Sequence, residues 1–388
     1  MSRYAILAHG TRGDVDPFVA LARLLRQRGH DVTVHTHAPY EQAVRRTGAK
    51  FRAVDDAAAY RAHLRRTRAL IADRSGGGAA GYYADPELFL DRVSIAGGFE
   101  QIRAEVDALV SGPGWPVIVG RLHSALSALI AAELTGAPLC QVSLTPFQLM
   151  TAPVTALHLT RSAGARLNGL RDSYGLPPVG RWSPWLARAD LQAGLWPTWF
   201  DQAGPTAPDE VLLTGFPLAD QDGEPVTESA PGRDDVVLVT GGTGRMLHDE
   251  FYPAAIAGLA ASGRRGIVVT PHRDMLPDRL PDGVEHRTSL PFDRVMPSVA
   301  GVVHHGGVGT LARALAAGTP QLLLADGGDR PDNGSRLARL GLARSLGPAD
   351  WAAETIGAAI KGLGPTGPAP MTGSDALTVL ADRLASLS

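Results

Sequence analysis

A chain of 388 residues with 44% hydrophobic content holds material for two packed cores, which excludes intrinsic disorder. Its 37 basic and 39 acidic side chains leave a net charge of −2, which excludes the basic footprint of a nucleic-acid-binding protein. Cys140 is the single cysteine, so no internal disulfide framework or cysteine zinc site exists, and no apolar run reaches the roughly 18 residues of a membrane-spanning helix.

Met1 leads straight into a strand, Tyr4 to Ala8, without a charged, apolar and cleavable leader, so a soluble cytoplasmic protein is expected. A helix follows from about Phe18 to Arg28, with Phe18, Leu21, Leu24 and Leu25 on one face and Gly29 as its stop. Asp31 to His37 is the next strand, completing a βαβ opening that builds a parallel sheet. Asp73 to Tyr83 is rich in glycine and reads as a mobile loop, a candidate lid. Cys140 falls in an apolar strand as a small buried side chain. The same grammar recurs later: strand Asp235 to Thr240, a turn at Gly241 to Gly244, a helix near Asp249 to Ser262, Gly263, and strand Gly266 to Thr270. Two copies of one plan predict two doubly wound α/β domains facing each other across a cleft. The boundaries read as 1–219 for the first domain, 220–232 for a polar linker and 233–370 for the second domain. Residues 371–388 then form a terminal helix able to cross back to the first domain.

The densest chemistry lies at Val302-Val303-His304-His305-Gly306-Gly307-Val308-Gly309-Thr310. An apolar strand (Ala300 to Val303) and a helix starting near Leu311 flank a glycine-rich turn with two histidines and a hydroxyl. Backbone N–H groups and a helix N-terminus make such a turn a cradle for a diphosphate.

With the downstream Ala316-Ala317-Gly318-Thr319-Pro320 and strand Gln321 to Ala325, this run resembles the donor signature of GT-B glycosyltransferases, which use nucleotide-diphosphate sugars. Leu167 to Pro178, Trp199-Phe200, Gly215 to Leu218 and Thr240 to Gly244 extend the likeness over most of the chain. They are most similar to the subgroup of rhamnolipid rhamnosyltransferases and sterol or antibiotic glycosyltransferases. The resemblance implies a GT-B fold of two Rossmann-like domains and His304 on the diphosphate. Gly307, Val308, Gly309 and Thr310 then supply backbone and hydroxyl donors. Gly241, Thr243 and Gly244 approach the phosphates and sugar from the other side, and Leu290 lies beside the nucleobase. Plant-type relatives carry a Glu on the ribose where this chain has Ala312, a loss that favours a dTDP-sugar over a UDP-sugar. In place of an Asp-Gln-Pro sugar motif the chain reads Asp329-Arg330-Pro331. Arg330 has five donors and no acceptor, and either binds a deoxy, oxidised or acidic sugar or turns outward.

The loop after the first strand, His9 to Pro17, resembles the acceptor-facing segment of bacterial GT-B enzymes, with Thr11, Arg12, Gly13 and Asp14 in its pattern. The resemblance places Arg12 and Gly13 by the acceptor and nominates Asp14 as the base for an acceptor hydroxyl. An Asp before a helix also serves as an N-terminal capping residue, so both readings stand. His9 is the alternative base or a structural histidine. Relatives pair the base with an Asp after the strand at 116–119; here the chain reads Gly120-Arg121-Leu122-His123, where His123 either orients the base or begins the next helix. The overall expectation is an inverting glycosyltransferase without metal or other cofactor. It takes a nucleotide-sugar donor and a lipophilic or natural-product acceptor, binds no nucleic acid, has no integral membrane segment, and is compatible with a homodimer. A nucleotide-sugar epimerase and a degenerate homologue that activates a partner glycosyltransferase are the alternatives.

Overall fold

The structure, a computed structural model, describes residues 1–72, 89–90, 93, 95, 97–111, 114, 117–122, 125–218, 235–364 and 376–387. The expected lid at 73–83, the linker at 220–232 and His123 lie outside the described residues.

The chain forms two units. The first comprises Met1–Trp196, Ala207–Gly215 and Ser374–Ser388, and the second Pro197–Thr206 and Phe216–Gly373. The division is thus not a single break near 219: the segment Pro197–Thr206 belongs to the second unit. Arg336 supplies the physical reason. This fully buried guanidinium donates to the carbonyls of Phe200 (3.1 Å), Asp201 (2.6 Å) and Pro205 (2.8 Å), and its Nε pairs with Asp332 at 2.8 Å.

The first unit carries a parallel sheet of seven strands: β1 (Arg3–Leu7), β2 (Asp31–Thr36), β3 (Lys50–Ala53), β4 (Val117–Arg121), β5 (Leu139–Ser143), β6 (Leu191–Gly194) and β7 (Leu212–Leu213). Their order is β3-β2-β1-β4-β5-β6-β7. The period of two along β1 sends its residues to opposite cores. Tyr4 and Ile6 join Phe18, Leu21 and Leu25, whereas Ala5 and Leu7 join Ile102, Val106 and Leu129. The helix Ala376–Ala385 seals the first of these cores with Leu377, Leu380 and Leu384, and Asp382 pairs with Arg28 at 2.7 Å.

The helix Arg12–Gln27 starts at Arg12 rather than near Phe18. Thr11 and Asp14 form a capping box, which satisfies the leading N–H groups and initiates the helix ahead of its apolar face.

The second unit holds six parallel strands: β8 (Val236–Thr240), β9 (Arg265–Val269), β10 (Val284–Arg287), β11 (Gly301–His304), β12 (Gln321–Leu324) and β13 (Arg344–Leu346). They run in the order β10-β9-β8-β11-β12-β13. In both sheets the strand order reverses, between β1 and β4 and between β8 and β11. Ligands of open α/β sheets bind at such switch points, outside the carboxyl ends of the strands. The loops singled out in the sequence, His9 to Asp14, Gly241 to Gly244 and His304 to Thr310, all begin at those edges.

Candidate active site

At the switch point of the second unit, Gly241 donates its N–H to the Tyr252 hydroxyl at 3.0 Å. Thr243 is exposed and Gly244 half-buried, and the loop is braced from outside. His272 Nε2 lies 3.0 Å from the Thr243 carbonyl, and Arg245 grips Asp274 with both nitrogens. Hydrogen bonding to Arg245 holds the Asp274 carboxyl down at about 2.

Across the switch point, Gly307 caps the helix Val308–Ala317, which starts three residues ahead of its first core leucine, Leu311. Thr310 is buried and its N–H is taken by the Gly307 carbonyl at 3.1 Å. Val308 and Gly309 head the helix, where N–H groups have no partner within the helix itself.

The two histidines lie in different surroundings. His304 is fully buried: its Nε2–H donates to Gln321 Oε1 at 3.0 Å and its Nδ1 accepts the Gly306 N–H at 3.2 Å. Burial pushes its imidazole down to about 4, so it is neutral, with both nitrogens committed. The residue expected on the diphosphate is therefore a strut between β11 and β12. His305 occupies the mouth instead. A Cβ added to Gly307 would fall 2.5 Å from its Nε2, and one on Gly242 would fall 3.2 Å from its Cε1. Only glycine at 307 lets the ring lie this close, so the imidazole sits between the two glycine loops. Its Nδ1 is buried without a hydrogen-bond partner, and burial with the nearby Arg330 charge holds the ring neutral.

Asp329 directly precedes the helix Arg330–Arg339 and accepts from Asn333 Nδ2 at 3.1 Å; the same amide reaches the Gly306 carbonyl at 3.0 Å. Arg330 does not turn outward. It donates to the Asp326 carbonyl at 3.0 Å and to the Met246 carbonyl, strapping the loop after β12 to the loop after β8. Leu290 is half-buried and packs against Phe292 and its neighbours. Ala312 is buried.

At the switch point of the first unit, Asp14 is the third residue of its helix. Its Oδ2 accepts from the Thr11 N–H (2.9 Å) and the Thr11 hydroxyl (3.0 Å). Its Oδ1 lies 2.9 Å from Arg121 Nη2, and Arg121 Nη1 donates to the His9 carbonyl at 3.0 Å. Asp14 is thus a capping residue and remains partly exposed. Arg12 and Gly13 are exposed at the same helix end, with Arg12 paired to Asp16 at 3.2 Å.

His9 has no exposed surface, and its Nε2 lies 2.8 Å from Glu105 Oε1. Burial alone would raise the Glu105 carboxyl, but His9, Ser127 and Gln101 outweigh it and hold the group below its ordinary range. A ring so enclosed is a structural histidine rather than the alternative base. The loop between them is pinned at Gly10, whose φ of +123° favours glycine. Its N–H donates to His37 Nε2 at 2.9 Å and its carbonyl accepts from the Tyr60 hydroxyl at 3.0 Å. His37 Nδ1–H in turn donates to Asp55 at 2.7 Å.

Arg121, Glu105, His305 and Gln321 were not among the residues the sequence singled out. Glu105 had a signal: it shares the buried face of the helix Gly98–Val110 with Ile102, Val106 and Leu109, an unusual place for a carboxylate. Arg121 was legible only as the absence of an acidic residue.

Comparison with known proteins agrees with this architecture. The Glycosyltransferase family 28 N-terminal domain matches residues 4–108, and the Erythromycin biosynthesis protein CIII-like, C-terminal domain matches residues 260–378. The chain is similar to O-mycaminosyltylonolide 6-deoxyallosyltransferase of Streptomyces fradiae, with 29% identity over 88% of this chain and 84% of that protein. Its fold is that of the glycosyltransferase of kitacinnamycin, at a TM-score of 0.71 and 21% identity, covering 100% of this chain and 94% of that one. The glycosyltransferase VinC, solved in complex with dTDP, matches at a TM-score of 0.68 and 19% identity over 99% and 94% of the two chains. The chain belongs to the GT-B glycosyltransferases of the family 1 type and is a nucleotide-sugar-dependent enzyme. Among the described residues no helix is long and apolar enough to cross a membrane.

Proposed function

We propose that the enzyme moves a sugar from a dTDP-sugar, with inversion, to a hydroxyl of a lipophilic natural-product acceptor. The observation that carries this reading is the pairing, at one switch point, of the Gly241–Gly244 turn with the helix headed by Val308 and Gly309, the His305 ring between them. Backbone N–H groups and the helix dipole there suit a leaving nucleoside diphosphate and can meet its charge without a metal ion. The dTDP preference draws support from VinC, solved in complex with dTDP, and from the deoxysugar in the name of the Streptomyces fradiae relative.

On the acceptor side, Asp14 is the base. A carboxylate offers about four lone-pair sites, and three donors already converge on this one. One site is left for an acceptor hydroxyl. As the acceptor oxygen bonds to the anomeric carbon, its proton passes to Asp14 and the bond to the diphosphate breaks, the electron pair leaving with the phosphate.

Calorimetric titration with dTDP, UDP, GDP and NADH tests the reading. Binding of dTDP in preference to the others is expected, undiminished by EDTA. Preference for UDP would overturn the donor assignment, and no binding of any nucleotide would overturn the cradle.

A further inference from the structure

Arg121, the last residue of β4, places its guanidinium against the Asp14 carboxylate. Its Nη2 lies 2.9 Å from Asp14 Oδ1, and its Nη1 is anchored 3.0 Å away on the His9 carbonyl. The anchor is itself rigid. The His9 ring is enclosed against Glu105, and the next residue, Gly10, is held by His37 and Tyr60. Arg121 is only 14% exposed, so the pair is shielded from water on one side, while Asp14 keeps 24% exposure on the other.

The partner a base needs follows from the base's own chemistry. An imidazole base needs an acceptor behind it to fix its tautomer and orientation, and a carboxylate supplies one. A carboxylate base needs a donor behind it, and a guanidinium supplies two in fixed geometry. Where the base is Asp14 rather than His, the partner has to change sign as well.

We propose that Arg121 is the positioning residue of the transfer reaction. It holds Oδ1 of Asp14 so that the remaining lone pair points at the incoming hydroxyl, and it transmits to the base the rigidity of the buried His9–Glu105 pair. This rests on the reading of Asp14 as base, and the proton still passes from acceptor to Asp14, with Arg121 keeping its own.

The test needs no identified acceptor. Every assay contains water, which requires a base to attack the anomeric carbon, and azide can be added, an anionic nucleophile that requires none. Hydrolysis of dTDP-glucose to dTDP and free sugar is measured for the parent, Asp14→Asn and Arg121→Ala, with and without sodium azide. The expected result is at least a tenfold loss of hydrolysis in both variants, dTDP affinity unchanged, and formation of glucosyl azide at close to the parent rate. Parent-like hydrolysis by Asp14→Asn would overturn the base reading and this proposal with it. Loss in Asp14→Asn but not in Arg121→Ala would leave the base in place and overturn the role of Arg121. Loss in Arg121→Ala that azide does not restore would make the arginine merely structural. Should Arg121→Ala fail to fold, Arg121→Lys carries the same comparison, because a single ammonium cannot bridge the His9 carbonyl and Asp14 as a fork does. The double variant Asp14→His with Arg121→Asp, which restores complementarity with both signs reversed, is expected to hydrolyse faster than either of its single changes; a rate no better than the singles would overturn the pairing.

Discussion

His304 Nε2 sits 3.0 Å from Gln321 Oε1, joining the last residue of β11 to the first of β12 inside the second unit. The second bond of the ring, the Gly306 N–H to Nδ1, exists only when the imidazole is neutral, and burial keeps it at about 4 against an ordinary 6.5. Between these values the unfolded chain binds a proton that the folded chain refuses. Stability therefore falls as pH drops from about 6.5 to about 4, by on the order of 3 kcal/mol from this residue. Melting temperature followed across that range checks it, and a His304→Gln variant is expected to show a shallower decline. Gln321→Leu, which strands the buried Nε2–H, is expected to cost about 1–3 kcal/mol at pH 7.

The neighbouring histidine behaves differently. His305 fills the gap between Gly242 and Gly307, so His305→Ala is expected to weaken dTDP binding by about 1–3 kcal/mol while leaving the melting temperature close to the parent's. Calorimetry on the two histidine variants side by side reads the division of labour: nucleotide affinity lost at 305, thermal stability lost at 304.

Gly10 couples the backbone of the first loop to Asp14. A methyl group at this position would fall 2.5 Å from Asp14 Oδ2, in a backbone conformation L-residues seldom adopt. Gly10→Ala is expected to cost about 1–3 kcal/mol in stability and to depress turnover by displacing the carboxylate, with dTDP affinity unchanged. Equal loss of nucleotide binding would show that the damage is not confined to the first unit.

Arg336 is a buried cation with four hydrogen bonds, three of them to carbonyls of the Pro197–Thr206 segment. Arg336→Met leaves those carbonyls and Asp332 without their donor, and a loss of about 3–5 kcal/mol is expected. Chemical denaturation measures it. Limited proteolysis is expected to cut near Gly204, whose α-carbon faces the guanidinium so closely that a Cβ would lie 2.7 Å from its carbon.

The βαβ plan was legible because β1, β8 and β11 are short apolar runs bounded by glycine or polar turns, and parallel strands buried on both faces leave that trace. Helix starts were less legible: periodicity shows the core face at Phe18 and Leu311, whereas Thr11 and Gly307 set the true ends through capping. The glycine loops were found from sequence, but that the ring between them is His305 and not His304 was hidden. Adjacent residues at a strand end point to opposite sides, and no local feature tells which side is the crevice. The strap formed by Arg330 was hidden for a similar reason: its reach to Met246 spans residues distant in the chain. Arg121 and Asp14 are likewise far apart in sequence, and their meeting depends on β1 and β4 being neighbours in the sheet.

The helix Ala376–Ala385 completes a core whose other members lie before residue 213. On the ribosome the first unit is therefore made first and finished last: Leu21, Leu25 and Val34 await Leu377, Leu380 and Leu384 until all of β8 to β13 has been synthesised. In the interval an apolar face stands open to chaperones or to other nascent chains. A fragment ending at Gly215 would carry that open face permanently. The sheet that holds Asp14 and Arg121 is thus closed by the segment translated after β8 to β13.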